Sequence, residues 1–128
     1  RDLENLFVVD SAGTGGWHVG NLADRRMREA ALSRGIELTS RSRKIDDNDL
    51  YEFDHILVMD KDNLNAVKSL IKDNTYPIKS KIKLILSYSK KSQLDEVPDP
   101  YYGGQNGFEK VLDLLDDAID ELIDSLID

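Results

Sequence analysis

Three short apolar runs, each followed by a stripe of helical periodicity, constrain the fold more than any other feature of the chain. Leu6-Phe7-Val8-Val9 stops at Asp10-Ser11-Ala12-Gly13. His55-Ile56-Leu57-Val58-Met59 stops at Asp60, and Ile82, Leu84, Ile85 and Leu86 mark a third run. Continuous apolarity over four or five residues suits a strand covered on both faces. Between them, Asn21 or Asp24 caps a helix carrying Met27, Ala30, Ala31 and Leu32, which Gly35 ends. Asp46-Asp47-Asn48-Asp49 starts a short helical turn with Leu50, Tyr51 and Phe53. Leu64, Val67, Leu70 and Ile71 form the stripe after the second run. The last segment repeats Phe108, Val111, Leu112, Leu115, Ile119, Leu122 and Leu126 at helical spacing, with Asp113, Asp116, Asp117, Asp120, Glu121 and Asp124 opposite. Strands alternating with helices predict a parallel sheet with helices on both faces, the three-layer α/β class.

At 128 residues, 40% hydrophobic and 33% charged, the chain reads as a single globular domain spanning 1–128. No apolar run reaches the roughly 18 residues of a membrane span, and no basic-apolar leader opens the chain, so a cytoplasmic protein is expected. A net charge of −8 argues against nucleic acid as a partner. The absence of cysteine excludes disulfides, thiolate metal sites and a cysteine nucleophile within these residues. No His and carboxylate spacing makes a metal site, and no cofactor is implied. One segment runs against the overall charge. Arg25, Arg26, Arg28, Arg34, Arg41, Arg43 and Lys44 face only Glu29 and Glu37 in their stretch, which reads as a solvated surface or as a field gathering a small anion.

Chemistry is concentrated in Val97-Pro98-Asp99-Pro100-Tyr101-Tyr102-Gly103-Gly104. Proline fixes its own φ and pushes the preceding residue into extended geometry, so Asp99, between two prolines, presents its carboxylate from a stiff loop. A turn-forming aspartate is the simpler reading of the same residue.

Asp99-Pro100-Tyr101-Tyr102-Gly103 resembles the general-acid loop of the low-molecular-weight protein tyrosine phosphatases. Asp10-Ser11-Ala12-Gly13, with Trp17, Asp24 and Arg26, resembles that family's second strand and variable loop. Ile56-Leu57-Val58-Met59-Asp60 with Asn63 is similar to its third strand and following turn. The three fall in family order and together cover essentially the whole chain.

The resemblance implies a four-stranded parallel sheet, whose first strand leads into a loop of the form Cys, five residues, Arg. That strand and loop are absent from these 128 residues, so the domain is expected to be N-terminally incomplete. It implies hydrolysis of phosphotyrosine in proteins, and of small aryl phosphates, through a phosphocysteine, with Asp99 as general acid and base. Trp17, His18, Tyr101 and Tyr102 would contact the substrate. Ser11 would hold the thiolate or simply end a strand, and Asp60 would orient the loop arginine or cap a helix. His55 reads as structural. Phosphotyrosine proteins are the implied partners; weak self-association stays open, since a parallel sheet short of one strand exposes its edges.

The alternative reading is a non-catalytic phospho-binding or interaction module on the same fold. An arsenate reductase on that fold would need redox cysteines, and an acidic helical adaptor would leave the Asp99 segment unexplained. The cysteine-free polypeptide Arg1–Asp128 is expected to hydrolyse no para-nitrophenyl phosphate; measurable turnover by it would exclude the cysteine mechanism.

Overall fold

A computed structural model describes residues 7–15, 19–71, 77–90, 92–99 and 104–127. In chain order its elements are α1 (Arg25–Leu32), α2 (Asp49–Glu52), β1 (His55–Val58), α3 (Lys61–Lys68), β2 (Lys81–Leu84), a 3₁₀ turn (Ile85–Tyr88) and α4 (Gly104–Ile127). β1 and β2 pair in parallel, with His55 opposite Lys81 and Val58 opposite Leu84. A parallel pair needs a long crossover, and α3 supplies it.

The two strands differ in the way their sequences require. His-Ile-Leu-Val is apolar on both faces. Ile56 and Val58 join Val67 and Leu64 of α3 in one cluster, while Leu57 points the other way, against Ala118 and Leu122 of α4. Lys-Ile-Lys-Leu alternates, so Ile82 and Leu84 enter the α3 cluster and both lysines stay exposed. Leu84 also ends the strand. Ile85 and Leu86 turn into the 3₁₀ segment and carry their side chains across to α4, which is why the third apolar run is part strand and part turn.

Backbone ties set the strand placement. The buried Ser80 hydroxyl lies 2.5–3.2 Å from the carbonyls of Asp49, Leu50 and Phe53, and the Lys81 N–H donates to Asp54 O at 2.9 Å. These bonds hold the start of β2 against α2 and the start of β1. Asp24 caps α1, accepting from Arg26 N at 2.8 Å. Gly35, at φ +79, closes the same helix, with Gly35 N–H to Leu32 O and Ile36 N–H to Ala31 O, the paired bonds of a Schellman turn.

Several expectations change. Among the described residues the sheet has two strands, β1 and β2, of the three that this chain was expected to supply. Phe7–Val9 forms no strand, and Val8 and Val9 are 89% and 88% exposed. An apolar run becomes a strand only where a neighbouring edge accepts its hydrogen bonds, and no described segment pairs with this one. The long helix buries Phe108, Val111, Ala118 and Leu122, whereas Ile119 and Leu126 of the expected stripe are 41% and 37% exposed. Ile119 lies on the flank of the helix beside the buried Ala118, whereas Leu126 and Ile127 fall in the last turn, beyond the last buried contact at Leu122.

Phe108 is fully buried, with the Arg26 guanidinium 4.8 Å from its ring centroid. Truncating it to alanine removes a large core side chain and is expected to cost about 3–5 kcal/mol in urea unfolding. Leu126→Ala, at a part-exposed position, should stay within about 1 kcal/mol of the parent.

Candidate active site

The carboxyl end of a parallel strand, where it passes to a helix, is the usual place for an α/β site. At the end of β1 the chain runs through Met59 to Asp60. The Asp60 carboxylate accepts from Asn63 N at 2.8 Å and caps α3. Capping is thus the role of Asp60 visible within this chain. The loop carrying Asp99 docks at the same corner. Val97 N–H donates to Met59 O at 2.8 Å, Glu96 Oε2 accepts from Lys61 N at 2.8 Å, and the Val97 side chain packs in the α4 cluster. Pro98 follows half-buried and Asp99 is exposed. The stiff segment expected from the two prolines is therefore tied down on its N-terminal side.

The segment 41–45 organises a second loop. Gly13 N–H donates to Arg43 O at 2.8 Å and Ile45 N–H to Gly13 O at 2.9 Å, a parallel bridge between Gly13 and Lys44. Farther along, Ser42 N–H donates to Asn21 O and Gly20 N–H to Ser42 O, both at 2.7 Å, beside an antiparallel bridge between Leu22 and Arg41. Both feet of the loop from Gly13 to Leu22 are stitched to one extended segment. Gly20 sits at φ +86, a conformation that favours glycine. Ser11, exposed, donates its N–H to Asp10 Oδ1 at 2.8 Å. Trp17, His18, Tyr101 and Tyr102 lie outside the described residues.

Arg43 locks that arrangement. Its guanidinium donates to both Asp49 oxygens at 3.0 Å and to Asp10 Oδ2 at 3.1 Å, while the Asp46 N–H donates to Asp49 at 2.9 Å. The hydrogen bonds from Arg43 hold the Asp49 carboxyl below its ordinary range, with the Asp46 amide adding to the effect and burial opposing it; the Arg43 pKa is raised in turn. Sequence reasoning grouped Arg43 with its basic neighbours, and only the fold brings it to Asp49.

Most of that basic stretch is used within the structure. Arg34 pairs with Glu109, with Asp113 at 3.0 Å and with Asp116 at 3.3 Å, pinning the end of α1 to α4. Arg41 donates to Gly20 O and Arg28 to Ala23 O, both at 2.9 Å; Arg25 pairs with Glu29 and Arg26 with Asp24. The stretch holds helices and loops together rather than forming an open cationic field. Part of the acidic face of α4 is likewise explained as the receptor for Arg34. Among the described residues, no group of three His, Asp or Glu side chains converges as a metal site, and no helix is long and apolar enough to cross a membrane. His55 Nδ1 is buried without a hydrogen-bond partner among the described residues.

Comparison with known proteins agrees with this geometry. The family described as low molecular weight phosphotyrosine protein phosphatase matches residues 1–128. A protein named as a low molecular weight protein-tyrosine-phosphatase in Synechocystis sp. is 48% identical over 112 residues, covering 88% of this chain and 70% of the relative. YfkJ of Bacillus subtilis is 37% identical over 116 residues, covering 90% and 71%. Among solved structures, a protein tyrosine phosphatase from Entamoeba histolytica with Hepes in its active site superposes with a TM-score of 0.88 at 40% identity, covering 97% of this chain and 78% of that one. The chain belongs to the low molecular weight phosphotyrosine protein phosphatase family.

The Arg43–Asp49 pair predicts a pH signature. A carboxyl whose pKa is lower in the folded than in the unfolded state contributes stability above its unfolded pKa of about 3.9, and loses it as pH falls through the folded value. Asp49→Asn should destabilise the domain by about 1.5–3 kcal/mol at pH 7. The gap between parent and variant, followed by urea unfolding, should close steadily below about pH 4.

Proposed function

We propose that this is a cytoplasmic protein that hydrolyses phosphotyrosine in proteins, and small aryl phosphates, through a phosphocysteine intermediate with Asp99 as general acid and base. The observation that carries this reading is the anchored loop: a proline-flanked carboxylate tied at the carboxyl end of β1, in a chain of this family. The nucleophile would come from outside these cysteine-free 128 residues, in a loop of the form Cys, five residues, Arg.

In the first step the thiolate sulfur bonds to phosphorus and the bond from phosphorus to the aryl oxygen breaks. Asp99 passes its proton to the departing phenolate oxygen. Asp99, now a carboxylate, then takes a proton from water; the water oxygen bonds to phosphorus, the S–P bond breaks, and phosphate and thiolate are released. A positioned proton donor of this kind contributes roughly 10²–10⁴ in rate. Trp17, Tyr101 and Tyr102 would wall the cleft against a phenyl ring, favouring phosphotyrosine over the shorter phosphoserine, with His18 at the rim. Ser11 would steady the thiolate, and Asp60, besides capping α3, would orient the loop arginine.

A non-catalytic phospho-binding module is the second reading, favoured by the cysteine-free sequence. Kinetics on the natural gene product, with any residues that precede Arg1, decide between them. Asp99→Asn should lower kcat roughly 10²–10⁴-fold on aryl phosphates with high-pKa leaving groups, and far less when the leaving group is already good. Inhibition by inorganic phosphate should change little. Asp95→Asn, at an exposed side chain paired with Lys61 only at 3.9 Å, serves as the control. Full activity in the Asp99 variant, or an equal loss on every substrate, would remove Asp99 from this role.

A further inference from the structure

We propose that Glu96 is a positioning residue for the acid loop: by capping α3 from a distance in sequence, its carboxylate determines where Asp99 stands. This rests on reading Asp99 as the proton donor. The prolines on either side of Asp99 stiffen the loop but do not say where it is held. Two hydrogen bonds do, and both fall on the few residues joining β1 to α3.

A helix begins with backbone amides that have no partner inside it, and its N-terminus favours negative charge. In α3, Asn63 N–H is taken by Asp60, the local cap, at 2.8 Å. Lys61 N–H is taken by Glu96 Oε2, also at 2.8 Å, from a residue 35 positions away. Glu96 is otherwise exposed, so no apolar packing competes to set its place. One residue later, Val97 N–H donates to Met59 O at 2.8 Å, and its side chain enters the cluster with Leu57, Leu86 and Leu122. Only Pro98 then separates Val97 from Asp99. At no more than about 3.6 Å per residue, the Asp99 backbone is leashed within roughly 7 Å of that anchor.

The Val97 bond and its packed side chain place one point of the loop; the bond at Glu96 holds a second point, on the helix side, and sets the loop's direction. The neighbouring pair of Lys61 with Asp95, at 3.9 Å between side chains 60% and 74% exposed, is too loose to do this. Small displacements of a catalytic group are costly: about 1 Å can lose on the order of 10² in rate.

The test compares Glu96→Ala, Glu96→Gln and Asp99→Asn in the natural gene product, reading kcat across aryl phosphates of graded leaving-group pKa. Amide exchange at Lys61 and Val97 is followed in the same variants. Glu96→Ala should lower kcat by about 10- to 100-fold on poor leaving groups and much less on good ones, with KM little changed. Amide exchange at both positions should accelerate. Glu96→Gln, which keeps an acceptor oxygen and covers the case in which the alanine variant does not fold, should recover much of both effects. A lowered Tm with an unaltered leaving-group dependence would make Glu96 a helix cap and nothing more, overturning the inference. Unchanged exchange at Val97 would overturn it too. If Asp99→Asn itself shows no leaving-group dependence, the general-acid reading fails and takes the positioning role with it. Exchange at Val97 then reports separately whether Glu96 anchors the loop.

Discussion

The parallel pairing of β1 with β2 is the constraint on which the rest of the structure depends, because two adjacent parallel strands cannot be joined by a turn. The chain has to leave the end of β1, travel back along the sheet as α3 and re-enter at Lys81. That return journey creates the junction from Met59 to Lys61, with the carbonyl of Met59 and the first amides of α3 directed beyond the end of the strand. Ser80 and Lys81 fix the register from the opposite end, through their bonds to the carbonyls around α2 and Asp54. Once the ladder is set, the exits of the strands have nowhere else to be.

Two loops are anchored in different ways. The loop carrying Asp99 is long and arrives from β2 by way of the 3₁₀ turn, so it needs distant anchors. It finds them in Met59 O and Lys61 N. The loop from Gly13 to Leu22 is held by backbone bridges to segment 41–45, and that segment is held by Arg43 on Asp49. Both are supported on one side by charge-assisted hydrogen bonds to carboxylates, which are stronger than neutral ones. Glu96 and Asp49 work in opposite senses: Glu96 reaches from its own loop to the first amide of α3, whereas Asp49, in α2, holds the segment that carries Arg43.

Charge is used with the same economy. Arg34, at the end of α1, meets three carboxylates on α4 along the helix face presented by residues 109, 113 and 116. Spacings of three and four residues put these acids on one side of the helix, so a single guanidinium can reach them all. The net charge of −8 is what remains once all 17 basic residues, paired or not, are set against 25 acidic ones.

The sequence by itself determined whatever depends on local pattern. The α/β class, β1, the caps at Asp24 and Gly35, α3 after Asp60 and the long final helix all follow from periodicity or from single residues with a fixed conformational meaning. Stiffness at Asp99 follows from its two prolines, and the motif around it resembles one family. Tertiary structure alone decided what depends on residues far apart in the chain. Val8 and Val9 have the composition of a strand, yet no described segment pairs with them and they are exposed, since a strand is defined by its neighbour and not by its own residues. Ile85 and Leu86 leave the sheet because α4 offers them a better apolar surface than the strand direction does. Arg43 and Arg34 read in sequence as members of a basic stretch, and nothing in the sequence singled out Glu96. Their partners stand 6, 75 and 35 residues away, and no local pattern encodes a contact made across folded elements.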